Sequence, residues 1–104
     1  MNKIKNTQEI SKITMYPIAF TKCEIGGDWY KNKLEIVFVP NICYPDYIEV
    51  QDWIMENIDG TELNIEDVVN NIYLVLQEEY APRDLHVKDT VENCRTHFNV
   101  IVEK

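Results

Sequence analysis

At 104 residues and 45% hydrophobic content, the chain is the size of one domain with one modest core, and no second domain is expected. Aromatic residues make up 11%, glycine and proline are few, and no tract is of low complexity, which excludes a disordered or fibrous chain. The formal net charge of −8, with Lys and Arg scattered along the chain, repels phosphate backbones; long nucleic acid is an unexpected partner unless symmetric assembly gathers Lys22, Lys31, Lys33 and Arg95 onto one surface.

Residues 1–12 are polar and aperiodic and read as a flexible N-terminal arm, with a single domain over 13–104. Ile13 to Lys22 is rich in β-branched and aromatic residues, and Lys33 to Pro40 alternates with Leu34, Ile36 and Phe38 on one face, so both read as strands. Gly26-Gly27-Asp28 between them is a turn signal for an antiparallel hairpin. Tyr47 to Ile58 reads as a helix, with Pro45 near its start and Gly60 past its end. Asn64 is expected to cap a second helix, with Asp67 placed as in a capping box and apolar residues from Ile65 to Leu76 at helical spacing. Pro82 ends that helix near Tyr80 and biases Ala81 away from helical angles. Asp84 to Val91 and Thr96 to Glu103 alternate again, around a turn at Glu92-Asn93. The order ββααββ predicts an α+β fold, a four-stranded antiparallel sheet with two helices on one face.

The longest apolar runs are far too short to span a bilayer, and the polar start lacks a signal-peptide apolar region, so the expectation is no membrane partner and a cytoplasmic location. Three cysteines, an odd number without paired spacing, point to reduced thiols rather than a disulfide framework. His86 and His97 lie on different strands and make no zinc-ligand spacing, so no metal is expected. Cys43 and Cys94 read as small buried hydrophobes. Cys23 stands apart because it follows a strand beside the Gly-Gly-Asp turn. Asp28 suits any glycine turn, and Glu66 in a first helical turn meets the helix dipole in any protein, so these residues alone leave structural and functional roles open. Trp29, Tyr30, Trp53 and Tyr80 are aromatics that either stack on a purine or fill a core or interface.

In ββααββ order and length, the chain resembles the subunits of the tunnelling-fold (T-fold) superfamily, and within it the QueF and QueF-like family. Phe20-Thr-Lys-Cys-Glu-Ile-Gly-Gly-Asp-Trp resembles the family's F-T-x-x-C-P-x-T-G-Q-P-D block, which holds a nucleophilic cysteine and an acid/base aspartate; Cys23 and Asp28 match. Ile65-Glu-Asp-Val-Val-Asn resembles F-H-E-D-x-V-N, whose glutamate recognises a purine-like base; Glu66 matches, and Ile65 stands at the histidine. Pro82-Arg-Asp-Leu-His-Val resembles P-R-Y-I-x-V at the start of the third strand. Where QueF reductases carry E-S-K-S-L-K, implicated in holding NADPH, this chain reads Glu49-Val-Gln-Asp-Trp-Ile, and the R-G-G-I block is Arg95-Thr-His-Phe. Asp28 follows Cys23 at a shorter spacing than in the family.

The resemblance implies an enzyme acting on the nitrile of 7-cyano-7-deazaguanine (preQ0), free or within tRNA or DNA. A thiolate is the side chain best suited to attack a nitrile carbon, which gives Cys23 a covalent thioimide, Asp28 the proton transfers, and Glu66, aided by Glu49, the base pocket. Ammonia would then give the amidine of archaeosine, the expected product of the short QueF-like proteins; hydride from NADPH would give the aminomethyl compound of the reductases, and water an amide. The missing Ser-Lys-Ser and glycines favour ammonia and no cofactor, with NADPH needed only in the reductase alternative. A non-catalytic binding or assembly subunit of the same fold is the alternative from another class. T-fold subunits close their sheet edges by joining into barrels, so a homo-oligomer is expected.

Overall fold

The computed structural model describes residues 1–104 and contains nine elements. They are β1 (Lys3–Lys5), β2 (Ile13–Met15), β3 (Ile18–Lys22), β4 (Trp29–Val39), β5 (Cys43–Pro45), α1 (Tyr47–Asn57), α2 (Ile65–Tyr80), β6 (Asp84–Asn93) and β7 (Asn99–Glu103). The main sheet is antiparallel throughout and runs β2-β4-β6-β7, with β3 pairing on β4 alongside β2. Ile13 to Lys22, read as one strand, is two, because Pro17 between them has no N–H to donate to a ladder. Counting β2 and β3 as one broken strand, the sheet is the expected four-stranded one.

Alternation decides which face is covered. Leu34, Ile36 and Phe38 of β4 and Leu85 and Val87 of β6 are buried on one face, and both helices pack there. α1 contributes Val50 and Ile54, with Ile58 just beyond its end, and α2 contributes Val68, Val69, Ile72, Leu76 and Tyr80. The Tyr80 ring meets Phe38 edge-on, with centroids 5.9 Å apart. The opposite face keeps Ile18, Phe20 and Ile101 exposed. No helix is long and apolar enough to cross a membrane.

The first residues differ from the expected loose arm. β1 pairs with β5 as a separate antiparallel ribbon, with Ile4 opposite Tyr44. Tyr80 Oη donates to the Asn2 carbonyl at 3.2 Å. Burial, reinforced by the nearby Glu49 carboxylate, pushes that phenol up to about 12. The start of the chain is thereby tied to the C-terminal end of α2.

Candidate active site

The site is assembled at the edge of β3. Phe20 N–H donates to Asp59 Oδ1 at 2.8 Å, Gly60 N–H donates to the Phe20 carbonyl at 2.7 Å, and Lys22 N–H donates to the Thr61 carbonyl at 2.9 Å. The linker between α1 and α2 therefore lies along β3 as a clasp and satisfies its outer edge. Gly60 holds φ +76, a conformation that costs a residue with a Cβ. The clasp delivers Leu63 to Glu66, the start of α2, to the side of Cys23.

Cys23 opens a tight turn in which its own N–H donates to the Asp28 carbonyl at 2.8 Å and Gly27 N–H donates back to the Cys23 carbonyl at 3.0 Å. Gly26 N–H points at Cys23 Sγ from 3.4 Å, a weak donor contact to the sulfur. Cys23, Tyr30, Leu63, Asn64, Ile65 and Glu66 line a cavity of about 130 Å³. Asn64 stands at the N-cap of α2, yet its side chain makes no capping hydrogen bond, contrary to the capping expected from the sequence. The positive end of the α2 dipole is thus left without a side-chain cap at the cavity, where it favours negative charge.

Two of the four expected site residues, Cys23 and Glu66, share this cavity; the other two are engaged elsewhere. Arg95 grips Asp28 through both oxygens, Nε to Oδ1 at 3.2 Å and Nη2 to Oδ2 at 3.0 Å, and Asn93 Nδ2 adds a bond to Oδ2 at 3.1 Å. These bonds, Arg95 first and Asn93 second, hold the Asp28 carboxyl below its usual 3.8. Asp28, expected as an acid/base, is held by these bonds between the Cys23 turn and the β6–β7 turn. Asn93 completes this brace by accepting from the N–H groups of Arg95 and Thr96 at 2.9 Å each. Glu49 lies in the first turn of α1 and takes Asn2 N at 2.7 Å and Asn2 Nδ2 at 2.6 Å. Glu49 lines a different cavity, with Asn2, Asp52 and Trp53, and is not among the residues around Cys23.

A crystal structure of an archaeosine synthase, described as QueF-like and in the apo form, matches this chain with a TM-score of 0.74, over 91% of this chain and 92% of its own, at 17% identity. The chain has the QueF-like fold. No protein-family model matches the sequence, and no curated protein matches it. The QueF-like fold explains why residues so far apart in the sequence as Cys23 and Glu66 meet: the clasp returns the chain to β3 just where α2 begins.

Sequence reasoning gave Tyr30 only a stacking or packing role and gave Asn93 and Arg95 no part in the site. Tyr30 carried a signal, since alternation from Leu34 back through Asn32 puts it on the covered face. The Asp28–Arg95 pair spans two turns distant in sequence and carried none.

Proposed function

We propose that this protein is an enzyme of nitrile chemistry on a 7-deazaguanine base, with Cys23 adding to the nitrile of preQ0 and Glu66 accepting hydrogen bonds from ring N–H groups. The observation that carries this reading is the shared cavity of Cys23 and Glu66 at the uncapped start of α2. A charge-assisted hydrogen bond at Glu66 contributes roughly 1.5–3 kcal/mol to recognition. Ammonia is the second reactant in this reading and the product is an amidine, because the Ser-Lys-Ser and paired glycines of the NADPH-dependent reductases are absent from the sequence. Asp28 serves from outside the cavity, as the brace of the Cys23 turn. Glu49 joins the base pocket only where a neighbouring subunit brings it to the cavity.

Assembly belongs to the same reading. The outer edges of β2 and β7 carry no partner strand in the sheet, and Ile18, Phe20 and Ile101 are exposed on its uncovered face, which supports a homo-oligomer.

The test is intact-protein mass spectrometry of wild type and Cys23→Ala, each incubated with free preQ0 and with an oligonucleotide carrying it, without nicotinamide. Wild type is expected to gain one ligand mass with at least one of the two, and Cys23→Ala with neither. Absence of any adduct on wild type removes the proposal.

A further inference from the structure

Thiolate addition to a nitrile needs a proton at the nitrogen, and the carboxylate expected to give it is committed elsewhere: both Asp28 oxygens are bonded to Arg95 and Asn93. Three residues lining the cavity carry a dissociable proton, Cys23, Tyr30 and Glu66. Cys23 is the nucleophile, and Glu66 is occupied by the ring N–H groups of the base. Tyr30 remains.

From this juxtaposition we infer that Tyr30 is the catalytic proton shuttle of the site. The inference rests on the proposed nitrile chemistry. Tyr30 sits on β4, the central strand of its end of the sheet, opposite Thr21 of β3 and Asn93 of β6, so its position is set by neighbours on both sides. A side chain anchored on a paired strand holds its reacting atom more closely than one on a loop.

In the first step Cys23 Sγ forms a bond to the nitrile carbon as one C–N π bond breaks and its electron pair goes to nitrogen. Nitrogen takes the Tyr30 hydroxyl proton, and the phenolate oxygen takes the proton leaving the thiol. The net change moves the thiol proton to nitrogen and returns tyrosine to its starting form. When ammonia adds to the thioimide carbon and the C–S bond breaks, its electron pair returns to sulfur. The same hydroxyl then gives sulfur a proton and takes one from the added nitrogen.

The experiment follows the rate of covalent adduct formation in wild type, Tyr30→Phe and Asp28→Asn with whichever preQ0 probe wild type captures. Probe affinity is measured separately in Cys23→Ala and in Cys23→Ala/Tyr30→Phe, and thermal melts confirm folding. Tyr30→Phe keeps the ring and removes only the hydroxyl, so the expected result is an adduct rate lowered roughly 100-fold with affinity unchanged. If wild type forms an adduct and Tyr30→Phe forms it equally fast, or slows only in proportion to lost affinity, the shuttle is refuted and the nitrile reading stands. If wild type forms none, both fall together.

Discussion

Asp89 is the least comfortable residue in the molecule. It is fully buried on β6, and neither of its carboxylate oxygens has a hydrogen-bond partner. Asn32 Oδ1, on the next strand and the same face, is also without a partner, although its Nδ2 donates to Thr21 Oγ1 at 2.9 Å and to the Ala19 carbonyl at 3.1 Å. Asn32 faces Val91 and Leu34 faces Asp89, which makes the two polar residues diagonal neighbours on the covered face. Burial accordingly pushes the Asp89 carboxyl up from 3.8 to about 7. The unfolded chain releases that proton near pH 4, whereas the folded one keeps it to about pH 7. Stability from this group is therefore full below about pH 4, declines as pH rises to about 7 and is flat above, a loss on the order of 4 kcal/mol at 1.36 kcal/mol per unit. Asp89→Asn cannot ionise and should remove this part of the slope. Urea midpoints of wild type and variant at pH 5 and pH 8 check it, and an unchanged slope in the variant would assign the pH dependence to other groups.

At the scale of elements, the two helices end differently. Asp46 caps α1 by accepting the Ile48 N–H at 2.9 Å, whereas α2 finishes on Ala81 at φ +42, in the left-handed region. Pro82 does exclude the right-handed helical angles there, as its position in the sequence implies, but the chain resolves the conflict with a conformation that costs alanine about 1 kcal/mol relative to glycine. Ala81→Gly should therefore raise the melting temperature by about 4 °C, measured calorimetrically. An unchanged or lower value would mean that glycine's extra freedom in the unfolded chain offsets the relief. The bounds of α2 were legible because Pro82 and the apolar spacing act within one helix. Asn64 as a side-chain cap was misread because a residue at the N-cap still has a choice of partners, and here the cavity is the alternative. The β1–β5 ribbon was not legible, since three-residue strands carry too little periodicity to register.

For the molecule as a whole, ββααββ was readable because the apolar residues of both long strands and both helices recur at strand and helix spacing, and those periods point to a single covered face, interrupted only by buried polar residues such as Asn32 and Asp89. What decides the site was not readable, because the Asp28–Arg95 pair and the clasp on β3 join segments that share no local pattern. The clasp also limits how subunits can join. By occupying the outer edge of β3, it leaves β2 and β7 as the strands available for edge-to-edge pairing. Light scattering should give a mass that is a multiple of 12.3 kDa, and a monomer at micromolar concentration would contradict the assembly.

The same clasp sets an order in time. Its hydrogen bonds join Phe20 and Lys22 to Gly60 and Thr61, so they form only after a long loop containing β4, β5 and α1 has closed. Until then Cys23 lies on a chain segment without Glu66 beside it, open to any electrophile or oxidant in its surroundings. The cavity that Cys23 and Glu66 share is thus a late product of folding, completed only as the two helices dock.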